Sequence, residues 1–205
     1  MAYPGLMRIA FKEWAVVIDA LASGEQIVIL RKGGISEGRR GFQVEHAEFL
    51  LYPTHLHQDK ELVVPTSEQR FDSVTVARTE ADPAQVRFEY FAHVISWRHI
   101  ETLAQVDRLK GQHIWRDEVI AQRFEWGKEQ NIYALAVRVF RLPEPVILPV
   151  LPTYGGCKSW VDLELDILTD SATPVLSKEA FNEKLEKFNA ALDSGITPPE
   201  VPPTP

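Results

Sequence analysis

Between residues 85 and 97, in "QVRFEYFAHVISW", every second residue is apolar: Val86, Phe88, Tyr90, Ala92 and Val94. A period of two puts these side chains on one face of an extended strand. A strand with one apolar face needs strands beside it and a layer above it, so the chain must be built on a sheet. Other segments supply the neighbours. "QIVILR" (26–31) is apolar almost throughout and reads as an inner strand. "EFLLYP" (48–53) reads as a strand ended by Pro53, and "NIYALAVRVFRL" (131–142) as one closed by Pro143. "PVILPVLP" (145–152) is a proline-interrupted edge segment, and "WVDLELDIL" (160–168) alternates again.

Helices fill the intervals. Trp14, Val17, Ile18 and Leu21 recur at helical spacing within residues 10–24, and Gly24 stands where a helix stops. Residues 96–111 read as a helix with Ser96 as N-cap and Gly111 as its stop, and residues 116–126 as a shorter one. Residues 177–195 carry an apolar stripe of Phe181, Leu185, Phe188 and Leu192. The polar stretch 66–84 has no such stripe and reads as a long loop or a weakly ordered hairpin. The order of elements is not a regular βαβ alternation. It predicts a single α+β domain over residues 1–195, with a mixed, mainly antiparallel sheet flanked by helices. A subdivision, if there is one, falls near 66–84. Residues 196–205, "ITPPEVPPTP", read as a proline-rich flexible tail and a candidate ligand for a protein partner.

The chain has 205 residues and a net charge of −7, which argues against non-specific coating of nucleic acid. The charge is uneven. Residues 1–44 hold six Lys/Arg against four Asp/Glu, and the remainder holds sixteen against twenty-five. No apolar run approaches the roughly 18–20 residues of a membrane span, and the first residues lack a signal-type apolar core. The single cysteine, Cys157, agrees with a reducing compartment. The expectation is a cytoplasmic protein with no membrane contact.

Three constellations bear on chemistry. The first is "LRKGGISEGRR". Backbone N–H groups around Gly33 and Gly34 can form an anion-binding nest, and Arg31, Lys32, Arg39 and Arg40 can add charge-assisted hydrogen bonds to phosphate. The spacing fits neither a Walker loop nor a dinucleotide fingerprint, so a glycine-built turn with a basic tip stands beside the anion reading. The second is "YGGCKSW". Lys158 and Ser159 follow another Gly-Gly pair and join the first loop if both turns lie on one side of the sheet. Cys157 beside Lys158 is a candidate thiolate if a histidine stands near, or else a small cysteine in a turn.

The third constellation is Glu45, His46, His55 and His57. His55 and His57 are two apart, about 6–7 Å on extended backbone, which suits two ligands of one divalent metal. There is no H-E-x-x-H and no zinc-type Cys/His spacing. No cofactor is expected outside this reading, in which a metal-dependent hydrolase or nuclease uses the cluster. Asp162, Glu164 and Asp166 share one face of their strand and read as a solvated, pairing-resistant edge. Trp115 and Trp126 flank a helix bearing Arg116 and Arg123, a setting in which a base could stack.

Several stretches resemble, taken together, the bacterial family catalogued as domain of unknown function 1802. They are "FKEWAVVIDALASGEQIVILRKGGI", "FQVEHAEFLLYPTHLHQ", "HIWRDEVIAQRF", "VRVFRLPEPV" and "YGGCKSWVDL". The similarity runs over roughly residues 10–190, and "LRKGGI", "FLLYPT" and "GCKSW" are its most distinctive pieces. Its association with restriction-endonuclease-like regions implies a nucleic-acid setting. The resemblance carries no catalytic residue with it. The expected function is therefore a binding or accessory domain that contacts an anionic ligand, nucleic acid being one candidate. The alternatives are the metal-dependent hydrolase and a protein-interaction module.

Overall fold

The computed structural model describes residues 5–32, 44–55, 59–127 and 129–192, apart from the Arg78 side chain. Its centre is a mixed sheet of seven strands. In chain order these are β1 (Leu6–Trp14), β2 (Val28–Arg31), β3 (Glu48–Thr54), β4 (Gln85–Ile100), β5 (Ile132–Pro149), β6 (Trp160–Leu168) and β7 (Thr173–Pro174). Across the sheet the order is β2-β5-β4-β3-β1-β6, with β7 also on β5. Among the described residues only β1 and β3 pair in parallel; the other strand pairs are antiparallel. The helices are α1 (Ala15–Ala22), α2 (Glu68–Glu80), α3 (Leu103–Asp107), α4 (Asp117–Glu125) and α5 (Lys178–Leu192). The fold is α+β, as the element order predicts. Among the described residues no helix is long and apolar enough to cross a membrane.

The apolar residues form two clusters. One gathers α1, α4 and α5 on the sheet around Phe11, Phe49, Leu135 and Phe188. The other lies around Leu50, Phe88, Phe91, Phe140 and Leu163. Adjacent residues divide between them: Ala10 and Leu50 face one cluster, Phe11 and Phe49 the other. The 85–97 alternation does form a strand, but it does not keep one face. Val86 and Phe88 serve one cluster, Ala92 and Val94 the other. A bulge explains the switch. Phe88 pairs with Val146 while Tyr90 pairs with Arg141, so Glu89 alone spans the four residues 142–145 of β5. The same bulge corrects the expectation that Pro143 closes its strand. Pro143 and Pro145 sit where the ladder needs no N–H, and β5 continues to Pro149.

Three further segments differ from expectation. Residues 10–24 are not one helix. Leu6–Trp14 is a strand held between β3 and β6, and only from Ala15 does helical spacing take over, after an extended Trp14. Pairing on both edges overrides the helix propensity of "AFKEW". Ser96 caps no helix. β4 runs on to Ile100, opposite Ile132, and the helical turn starts at Thr102, whose hydroxyl accepts from Gln105 N at 3.3 Å. Residues 66–84 hold a 13-residue helix, α2, instead of a loop or hairpin. It shows no apolar stripe because ion pairs seat it. Arg70 binds Asp19 and Glu25, Lys60 binds Asp72 at 2.7 Å, and Arg116 meets Glu68 at 3.4 Å.

Candidate anion-binding cleft

Because β1 and β3 are parallel, both end at the same edge of the sheet, with Glu13 beside Pro53 and Trp14 beside Thr54. β6 begins at that edge too: Lys12 N donates to Ser159 O at 2.8 Å and Phe11 pairs with Trp160. These strand ends open into a cleft of about 1570 Å³. α1 and α2 line it from the helical side, and the far ends of β4 and β5 extend it. Its lining residues Lys32 and His55 adjoin segments 33–43 and 56–58, which lie outside the described residues.

Two ammonium groups, Lys12 and Lys158, are neighbours at one end, and Arg31 reaches Ser159 from the face of β1 that carries Phe11 and Glu13. Arg31 donates from Nη2 to Ser159 Oγ at 2.7 Å and lies 4.8 Å over the Phe11 ring. Its Nη1 is 3.7 Å from Glu13 Oε2. Lys12 donates to Gly156 O at 3.2 Å and stands 5.8 Å over Tyr52. Lys158 donates to Thr153 O at 2.6 Å. Burial pushes the Lys12 ammonium below its ordinary range, Lys158 pushes the same way, and Cys157 opposes them. The turn that brings Lys158 here depends on glycine. Gly156 has φ +84°, and a Cβ on Gly155 would lie 3.1 Å from Pro152 O.

Next to Arg31 is a buried charge cluster. Glu13 is only 4% exposed and accepts from Trp14 N at 2.7 Å. Arg123 stacks 3.8 Å over Trp115 and 5.2 Å over Trp14, whose rings are 4.7 Å apart. Burial lowers the Arg123 guanidinium to about 10, with Glu13 opposing and Arg31 adding to the fall. It stays charged at neutral pH. One carboxylate thus serves two guanidiniums, which leaves the floor of the cleft with a positive excess.

The structure brings some of the expected residues together and separates others. Arg31, Lys158 and Ser159 line the same cleft, from turns 128 residues apart in sequence. Lys32 lines it too, but its ammonium donates to the carbonyls of Phe124 (3.0 Å), Glu129 and Asn131 (2.9 Å), which ties it to the α4–β5 connection. Gly33, Gly34, Arg39, Arg40 and the tail 196–205 lie outside the described residues.

The metal set is not assembled among the residues described. His46 precedes β3 and His55 follows it, about 30 Å of extended chain apart. His46 packs edge-on against Trp160 at 5.1 Å, and burial holds it below the ordinary imidazole range. Glu45 adjoins His46, and His57 lies outside the described residues. No group of three or more His, Cys, Asp or Glu there fits a metal ion. Cys157 is exposed on the cleft. Asp162 and Asp166 face Arg8 at 3.2 and 3.9 Å on the edge strand β6. Trp115 is buried under Arg123, whereas Trp126 is 58% exposed on the cleft.

Sequence reasoning missed Lys12 and Glu13, and met Arg123 only as a neighbour of Trp115 and Trp126. In "FKEW" the first two look like solvated helix positions, and only the register of β1 with β3 and β6 shows their place.

Among solved structures the chain is similar to an ASCH protein from Zymomonas mobilis, with a TM-score of 0.42 and 14% identity over 87% of this chain and 92% of that one. A single-substitution mutant of the same protein gives 0.41 and 13%, over 87% and 96%. No curated protein matches the chain at a significant level. The family described as Domain of unknown function (DUF1802) matches residues 10–187, most of the length, and the chain belongs to it.

Proposed function

We propose that this chain is a binding domain that holds an anionic ligand in the cleft, and that the ligand is a nucleic acid. The observation that carries the reading is the pair of ammonium groups, Lys12 and Lys158, held on the carbonyls of the 153–156 turn, with Arg31 on the adjoining Ser159. Among the described residues the ammonium groups of Lys12 and Lys158 are held by carbonyls, and neither forms an ion pair with a carboxylate. Burial and the Lys158 charge both lower the proton affinity of Lys12, and a phosphate placed between the two ammonium groups offsets that repulsion. The body of the protein is acidic, so an anion is drawn to this local patch and not to the surface at large.

The test is fluorescence anisotropy of labelled oligonucleotides at two salt concentrations, in chelator. The expected result is binding that weakens as salt rises. In Lys12→Gln and Lys158→Gln, affinity falls and the salt slope drops by about 0.7–0.9 per lost phosphate contact. Affinity that neither substitution changes contradicts the reading.

A further inference from the structure

The cleft has a second character beyond its basic end. Val74 and Ala77 of α2, Val86 of β4, Ile147 of β5 and Val150 just past its end line it with apolar surface. Ile147 is 53% exposed and Val150 41%, and Trp126 adds an exposed ring. An apolar wall offers nothing to a phosphate. A duplex keeps its base faces stacked inside and presents phosphates, sugars and groove edges. An unpaired strand presents both partners this cleft offers places for: phosphates, and flat apolar base faces free to stack.

We infer that the cleft selects single-stranded nucleic acid over duplex, with phosphates at Lys12 and Lys158 and unpaired bases against Trp126 and the Ile147–Val150 wall. The inference rests on the anionic-ligand reading above and adds the strandedness of the ligand. Charge complementarity fixes one end of the occupant, and the apolar wall beside it requires the other end to be apolar.

The experiment compares three probes on the full chain: a labelled 12-nucleotide single strand in DNA and RNA form, the blunt duplex of the same sequence, and inorganic polyphosphate. The single strand should bind at least about ten-fold tighter than the duplex. Trp126→Ala should weaken single-strand binding by about five- to a hundred-fold, the range of one base–aromatic stack, and leave polyphosphate unaffected. Trp126→Phe should restore most of the loss. Ile147→Ser, at an exposed position that tolerates change, should give a smaller loss in the same direction. Equal affinity for strand and duplex overturns the inference and leaves the anion site standing. So does a Trp126→Ala loss that polyphosphate shares. If polyphosphate alone binds, the ligand is not nucleic acid. If no probe binds, the cleft reading fails and the inference with it.

Discussion

The two helices that line the cleft are held by different forces. α1 buries six of its eight residues, and five of them, Val16, Val17, Ile18, Ala20 and Leu21, belong to the larger apolar cluster. α2 offers that cluster little beyond a partly buried Phe71, and its Val76 is 57% exposed. It is seated by Arg70 on Asp19 and Glu25, the latter at 2.5 Å, and by Glu68 on Arg116. One wall of the cleft is therefore fixed by burial and the other by charge. Salt acts on the second and barely on the first, because exposed pairs are screened and apolar packing is not. The ligand's own charge meets the same ionic strength that loosens α2.

The comparison breaks most visibly at Leu21, which is 1% exposed. Leu21→Ala should destabilise the fold by about 2–5 kcal/mol in urea unfolding, with little dependence on salt. A loss well under 1 kcal/mol would mean that α1 is not held by burial.

Acid probes the connection between the two walls. Ile114 N donates to Gln26 Oε1 at 3.0 Å after α1, and Ile114 O accepts from Val64 N at 2.8 Å ahead of α2. The preceding His113 is 8% exposed, and burial lowers its imidazole to about 4. The unfolded chain takes up this proton near pH 6.5 and the folded chain only near 4. The stability contributed by neutral His113 is thus complete above 6.5 and lost as pH falls toward 4. Between pH 7.5 and 5 the loss from this one group is about 2 kcal/mol. Denaturation of the wild type and His113→Gln at both pH values should show a flatter acid fall in the variant. Parallel falls would assign the acid sensitivity elsewhere.

The smallest effect belongs to α2. Arg70→Met should cost about 1 kcal/mol and speed hydrogen exchange of α2 amides while leaving β4 and β5 protected. At 1 M salt, where the screening length is about 3 Å, wild type and variant should converge. A salt-independent difference would show that Arg70 holds α2 by packing.

These forces also decide what could be read from sequence. α5 is legible because Phe181, Leu185, Phe188 and Leu192 make a stripe, and β6 because it alternates at an edge. α2 leaves no apolar signature, since its partners Asp19 and Glu25 lie some 45 residues upstream or more. β1 hides inside a helix-like string because both its faces are covered and strand pairing is not written locally. At the site, Arg31, Lys158 and Ser159 stand out beside their glycine pairs. Lys12 and Glu13 do not, because their role arises from register alone. Lys32 shows the reverse: it is conspicuous in sequence, yet its ammonium is taken up by three carbonyls.

The central claim is that cations from separate segments form one anion site. The most direct test is the salt dependence of oligonucleotide affinity in wild type, Lys12→Gln, Lys158→Gln and the double variant. The account predicts that both single substitutions weaken binding, that each lowers the salt slope, and that the double variant loses less than the product of the two, because the lysines share a phosphate. Wild-type affinity and slope in all three variants would contradict it.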